Sequence, residues 1–376
     1  MALTGVEIVP VRGRRGLKAF LDVPAATHRD HAGWVPPLRT DERRLLDTRR
    51  NPAHSYCEFD AWLAQDDGRP VGRVVGIVNR RYNELRGERR ARFSHLESGE
   101  RPDVAAALMD RVEVWARERG MECVEGPRGF TDQDPEGFLV HGFEHEPAIS
   151  SYQNRPSAVR FLTEGGYRKS VDYVVYQIPV PDERPEFYER IRNRILARGK
   201  YRLLEFSSRR DLRPWVVPIL ELMDETFRDL SGYSPLESHE ILDLARRYWP
   251  IVDPRFVKVV VAGEEPVGFI IALPSLNDGL RRAGGRLLPV GWLQILRATR
   301  TSNRQLDLLI GGAREGHRGR GVDVLLGDAM TRSAHRAGFE YMDSHHELES
   351  NTGVRHEMER MGGREYKRFR VFEKEL

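Results

Sequence analysis

The strongest constraint in this sequence is that its second half repeats the first. Residues 68–72 (GRPVG) lead into an apolar stretch at 73–78, and residues 263–268 (GEEPVG) lead into another at 269–273. Both read as a hairpin turn followed by a buried strand. Residues 104–120 can be laid on residues 322–338 without a gap, and in the second copy Val322, Leu325, Leu326, Ala329, Met330, Ser333 and Ala337 recur at helical spacing. Each helix stops at a glycine, Gly120 or Gly338, and is followed by a short apolar strand, 121–124 or 339–342. Asn154 and Asn351 each stand eleven positions before a glycine, Gly165 or Gly362, and a second glycine follows in both copies. Alternating strands come next, at 167–178 and 365–373.

Three matched anchors in one order predict an α/β fold of two similar mixed-sheet domains in tandem. The first spans residues 1–178 and the second 201–376. Residues 179–200 join them, with a proline-rich stretch ahead of a charged helical one at 186–197. A chain of 376 residues has room for two such cores. The 60 basic residues nearly balance the 57 acidic ones, so the net charge of +3 gives no global field that argues for nucleic acid or an anionic membrane. Cys57 and Cys123 are too few for a disulfide framework and lack the spacing of a zinc site. With no apolar stretch in residues 1–15 and no run of about 18 apolar residues, the expectation is a cytoplasmic protein without a metal.

The chemistry concentrates after the apolar segment 305–312, where residues 314–321 read REGHRGRG and a helix begins at Val322. A turn of this kind offers free backbone N–H groups, the positive end of a helix dipole and two guanidinium groups. Arg318, Gly319, Arg320, Gly321 and Val322 are therefore candidates for holding a phosphate or pyrophosphate. The bland alternative is a tight turn with solvated arginines. At the matching place the first half reads Glu100, Arg101, Pro102 and Asp103, where Glu100 and Asp103 would repel an anion and Pro102 removes an N–H. A shared scaffold with one anion site is the expected outcome.

Strand, Arg-Gly-Arg-Gly turn, helix, strand, and then Asn with a helix ending in Gly together resemble the GNAT fold of acyl-CoA N-acyltransferases, and the resemblance covers both halves. It implies an acyl-CoA, acetyl-CoA or another, as co-substrate, with its pyrophosphate in the turn, and a small-molecule or peptide amine as acceptor. It also implies backbone donors at Gly311 and Gly312 near the acyl oxygen, and a role for Asn351 beside the cofactor. The sequence departs from the family pattern at Asp323, where a Gly or Ala is usual, and at Met358, where a Tyr usually protonates the leaving thiolate. Phe161 holds that place in the first half. Replacement acids are Tyr366 and Tyr341; candidate bases are Asp307, Glu347 and Glu349. These departures leave a second reading open, a non-catalytic member of the fold that senses an acyl-CoA or another phosphorylated ligand.

Two insertions distinguish the copies. The first half carries 21 extra residues between Gly120 and Asn154. The second carries residues 275–303, whose apolar segment 287–296 is flanked by Arg281, Arg282, Arg286, Arg297 and Arg300. This segment reads as a lid, a partner surface or part of the interface between halves. Asp132 to Gly137 imitates the start of a calcium loop but has Phe143 at the twelfth position. His141 and His145 have helical metal spacing, but Gly142 and Pro147 argue against a helix. His345 and His346, read as strand neighbours, should point to opposite faces. An open edge strand is expected after Glu373, which would permit a monomer or a homodimer.

Overall fold

The computed structural model describes residues 5–149, 151–182, 186–298 and 304–376. Arg300 of the second insertion lies outside the described residues. In chain order the strands are β1 (Val6–Pro10), β2 (Cys57–Asp66), β3 (Arg69–Asn79), β4 (Arg90–Glu97), β5 (Cys123–Gly126), β6 (Phe138–His141) and β7 (Arg168–Pro179) in the first half. The second half supplies β8 (Arg202–Glu205), β9 (Val257–Ala262), β10 (Glu265–Pro274), β11 (Gln305–Ala313), β12 (Tyr341–Asp343), β13 (Glu347–Leu348) and β14 (Arg364–Glu375). They form one mixed sheet in the order β1-β2-β3-β4-β5-β14-β7-β12-β11-β10-β9-β8, with β6 on β14 and β13 on β7.

The repeat is visible in this order, with one exchange at its centre. The last strand of the chain, β14, lies antiparallel beside β5 of the first half, while β7 lies antiparallel beside β12 of the second. β7 and β14 pair with each other from Arg168 and Glu373 to Gln177 and Arg364. Both alternate, and both bury apolar side chains on two faces: Val174, Tyr176 and Ile178 on one, Tyr173, Val175, Phe369 and Val371 on the other. The C-terminal strand is thus interior, not the open edge expected from the sequence, and the edges of the described sheet are β1 and β8. A cut of the chain after β7 would not cut the sheet into its two repeats.

The matched glycines have a packing cause. A Cβ on Gly72 would come within 2.5 Å of Val104, and a Cβ on Gly268 within 2.3 Å of Val322. In both halves a strand glycine lets the following helix, Pro102–Arg117 or Val322–Arg336, lie directly on the sheet. The strands after those helices, β5 and β12, begin two residues later than the apolar pattern suggested, because residues 121–122 and 339–340 carry the chain from helix to sheet. The joining segment is not a free tether. Its helix, Glu186–Ala197, buries Ile195 in a cluster with Tyr201, Val260, Val322 and Leu325.

The second insertion makes two helices, Asn277–Ala283 and Gly291–Ala298. Its base packs on the first half: Arg39 N–H donates to Gly285 O at 3.0 Å, and Arg281 pairs with Glu146 at 2.8 Å.

Candidate active site

β11 and β12 are parallel neighbours for three residues only, Gln305 opposite Tyr341, Leu306 opposite Met342 and Asp307 opposite Asp343. Beyond that point they part. β11 runs on to Ala313 beside β10, with an extra residue between Asp307 and Ile310 that bulges it. β12 breaks off at Asp343 and resumes as β13 along β7. The break has identifiable causes. Ser344 exchanges hydrogen bonds with the Tyr176 backbone, and Asp343 Oδ1 accepts the His345 N–H at 2.7 Å. His345 takes a left-handed φ of 59°. That turn also overrides the expected strand alternation, so His345 and His346 do not point to opposite faces; their rings lie 4.8 Å apart. The result is a V-shaped opening in the sheet with Asp307 and Asp343 at its vertex.

Strand alternation sorts the side chains by face. Leu306 and Leu308 of β11 and Met342 of β12 lie on the face covered by helix Val322–Arg336. Asp307 and Asp343 lie on the other, with Tyr366. A register shift in β14 between Glu365 and Lys367 lets two consecutive residues reach Asp343: the Tyr366 hydroxyl and Lys367 Nζ both donate to its Oδ2, the latter at 2.9 Å. Asp307 accepts from Gln305 Nε2 at 2.5 Å and from the Ile149 N–H at 3.0 Å. Tyr341 closes the network by donating to Gln305 Oε1 at 3.1 Å. All four central groups are buried, Asp343 at 0% and Lys367 at 1% exposure.

Electrostatics separates the two carboxyls. Burial, and then the charge of Asp343, raises Asp307 above the usual carboxylate range. Burial opposes ionisation of Asp343 too, but Lys367 and the Tyr366 hydroxyl outweigh it and hold that carboxyl low. Asp343 is therefore the anion of the pair and Asp307 the group that exchanges a proton near neutrality. Tyr366 is raised far above an ordinary phenol, first by burial and then by Asp343, so it stays protonated with its hydrogen committed to Asp343.

The other candidates are dispersed around this vertex. Glu347 stands opposite Val174 and hence on the face of helix Val322–Arg336, across the sheet from Asp307. Half-buried, it has no ion-pair or side-chain hydrogen-bond partner among the described residues, and burial pushes its carboxyl up to about 8. Glu349, by contrast, is spent on salt bridges to Lys169 and Arg368. Gly311 and Gly312 lie on the free stretch of β11, opposite Ile270 and Phe269. The turn after β11 is exposed, with Gly319 and Gly321 at φ of 66° and 93° and Gly321 as N-cap of the helix starting at Val322. Arg318 bonds to the Ala313 and Thr226 carbonyls at 2.9 and 3.4 Å, while Arg320 is exposed and unpaired among the described residues. Asp323 is exposed, and its charge raises Glu357 on helix Thr352–Arg360, after burial. Asn351 caps that helix through the Val354 N–H. Its side chain is occupied by this structural task.

Two groups at the vertex escaped the sequence reading, Asp343 and Lys367. Asp343 lies one residue past the expected strand, and only the parallel register with Asp307 marks it. Lys367 is one of six lysines in an arginine-rich chain. No group of three or more His, Cys, Asp or Glu side chains suited to a metal occurs among the described residues.

The corresponding V of the first half is closed. Arg92 and Glu125 occupy the positions of Asp307 and Asp343. Arg128 N–H then bonds to Phe93 O at 2.8 Å, and the buried Arg128 side chain pairs with Glu125 and Glu136. Gly232 of the second half sits on that guanidinium and gives its carbonyl to Arg92. Asp132, of the calcium-like stretch, lies half-buried near this plug, and desolvation pushes its carboxyl up to about 8. At the helix start, Arg101 is tied to Asp66 and Asp103. The first insertion then crosses to the second half, where Ile149 bonds to Asp307, and Glu146 O accepts from Lys367 at 2.9 Å. One half walls the open site of the other.

This arrangement can be compared with known proteins. A tandem GNAT protein from the clavulanic acid biosynthesis pathway matches with a TM-score of 0.57 over 98% of both chains, at 15% identity. The chain has the tandem GNAT fold. A GCN5-related N-acetyltransferase from Sphaerobacter thermophilus matches this tandem GNAT chain with a TM-score of 0.53, over 100% of it and 97% of the other, at 17% identity. Among curated proteins, Protein YghO of Escherichia coli (strain K12) is 24% identical over 373 residues, 96% of this chain and 94% of that protein. The bacterial ceramide synthase of Caulobacter vibrioides is 26% identical over 377 residues, 99% and 98% of the two. No family model matches the chain.

Proposed function

We propose that the second half of this tandem GNAT protein is an acyl-CoA-dependent N-acyltransferase and that the first half serves as scaffold and acceptor wall. The observation that carries this reading is the V between β11 and β12: open in the second half, plugged by Arg128 in the first, and holding a proton-exchanging carboxyl at its vertex. An acyl-CoA would enter along the face of helix Val322–Arg336, with its pyrophosphate on the turn from Arg318 to Val322. The thioester would then lie in the opening beside the free edge of β11, where Gly311 and Gly312 stand, and the acceptor would arrive from the Asp307 face, under the first insertion.

In the reaction the amine nitrogen attacks the thioester carbonyl, the N–C bond forms and the C–S bond breaks. Asp307, in its ionised fraction, takes the proton that the amine loses. Glu347, on the opposite face, is the nearer candidate for exchanging a proton with the sulfur. Similarity to a bacterial ceramide synthase over nearly the whole chain supports a lipid amine as the acceptor. Met358 at the usual acid position and Asp323 near the turn favour the rival reading, a sensor that binds without turnover. Release of free CoA thiol, measured over acyl-CoAs of increasing chain length with short and long-chain amines, separates the two. Binding without thiol release from any pair would overturn the enzyme.

A further inference from the structure

The second insertion carries an apolar surface that the fold leaves uncovered. Nine large apolar side chains are exposed among the described residues, and five of them fall within nine positions: Leu288, Val290, Trp292, Leu293 and Leu296. Leu288 is 79% exposed. This is not a loosely packed region. Gly279 abuts the Ile295 backbone so closely that a Cβ would stand 2.5 Å from its Cα, which locks the two helices together. Gly291 and Ala298 face inward, while Trp292, Leu293 and Leu296 fall on the outer face of the second helix. The element is built rigid, with its apolar side turned out.

Charge identifies what this face would meet. Between Asp278 and Asp307 the chain has six arginines, at 281, 282, 286, 297, 300 and 304, and no acidic residue; Arg281 pairs with Glu146 and Arg304 with Glu340. Arg282 and Arg286 are exposed beside the apolar patch and have no acidic partner among the described residues. Arginines rimming a short amphipathic helix with Trp and Leu on its outer face match an anionic bilayer surface, where the rings and aliphatic groups enter the headgroup boundary and the guanidinium groups meet phosphates. A protein partner of matching shape would not require so one-sided a charge. No helix among the described residues is long and apolar enough to cross a membrane. The patch is also tied to the site: Asn277 Nδ2 donates to Pro147 O at 2.8 Å, two residues from the Ile149 N–H that holds Asp307.

We propose that the helical hairpin 277–298 docks this protein on an anionic phospholipid bilayer, with Leu288, Trp292 and Leu293 inserted and Arg282 and Arg286 on the headgroups. Docking itself stands on the surface alone; its use, presenting the acceptor wall to amphipathic amines held in the bilayer, rests on the acyltransferase reading.

The test is co-sedimentation of the full chain with vesicles of phosphatidylcholine mixed with phosphatidylglycerol, and with phosphatidylcholine alone. The wild type is expected to pellet with the mixed vesicles and to be released by salt. Leu288→Ser/Trp292→Ser/Leu293→Ser and Arg282→Glu/Arg286→Glu, two variants at exposed positions with unchanged melting, should each bind at least about tenfold more weakly. Wild-type protein left in the supernatant, or variants that bind as well as it does, would overturn docking. So would a concentration-dependent dimer that the first variant dissociates, which would assign the face to a second copy. Thiol release with a soluble short-chain amine and no vesicles is measured in parallel, so that failure of the acyltransferase reading is seen separately.

Discussion

Asp307 and Asp343 stand opposite each other at the last paired position of two parallel strands, and of these two carboxyls only Asp343 accepts hydrogen bonds from Lys367 and Tyr366. Two buried carboxyls this close cannot both carry a charge cheaply, so the asymmetry of their partners decides which one ionises. It also predicts opposite consequences for two matched substitutions. Asp343→Asn removes the one carboxylate hydrogen-bonded to buried Lys367 and should cost up to about 3–5 kcal/mol of stability in urea unfolding. Asp307→Asn removes the repelled partner, so the fold should be as stable as the wild type or more so, while kcat falls about 10²–10⁴-fold if Asp307 is the base. Equal destabilisation by both would refute the assignment of charge.

Glu347 makes stability depend on pH in an unusual direction. Its folded carboxyl titrates at about 8, well above an unfolded glutamate, so the folded chain holds the proton more tightly. Stability from this group is full below the unfolded value of about 4.3 and is lost as pH rises to about 8. Glu347→Gln abolishes the effect. Thermal melts at pH 5.5 and 8.5 should show the variant gaining on the wild type at the higher pH, and a constant difference between them would contradict the half-buried, unpaired placement.

The pyrophosphate turn is testable because both arginines are exposed. Arg318→Ala/Arg320→Ala should leave the melting transition in place and weaken CoA binding by about 10–100-fold, the worth of one or two charge-assisted hydrogen bonds. Calorimetric titration with CoA reads this directly. If both proteins bind alike, the turn is only a turn. A companion variant, Asp323→Ala, should strengthen binding by removing a carboxylate beside the same helix start.

What the sequence made legible was what the repeat made local. Gly72 and Gly268, the helices at 104 and 322 and the Asn-to-Gly spacings are all short-range patterns, and each had a packing counterpart. The turn at 314–321 stood out because the first half has Pro102 and Asp103 at the matching place; its anion-binding role belongs to the proposal. The exchange of β7 and β14 was not legible: two strands of equal length and similar alternation fit either partner sheet, and only side-chain complementarity chooses. Asp343 and Lys367 were missed for a related reason. Their meeting depends on a register shift between Glu365 and Lys367, which no pattern of hydrophobicity records. Of the carboxylates singled out in advance, Asp307 reached the vertex, Glu347 the opposite face and Glu349 a surface salt bridge.

The exchanged strands make the two repeats interdependent, and this can be measured with fragments. In residues 1–182 alone, β7 has lost its partners on both sides, β14 on one and β12 and β13 on the other. Val174, Tyr176 and Ile178 then lack the Leu306 and Met342 side of their cluster, and Tyr173 and Val175 lack Tyr366 and Phe369. Residues 183–376 lack β7, the strand on which β12, β13 and β14 all pair. Losing a central strand buried on both faces removes far more apolar burial than the few kcal/mol by which a domain is stable. Neither fragment alone should show a cooperative unfolding transition. Co-expressed, they should purify together and melt as one unit, because every pairing is restored except the joining peptide. A cooperative melt of residues 1–182 by themselves would mean that β7 can take the place of β14 beside β5, and that each repeat folds independently.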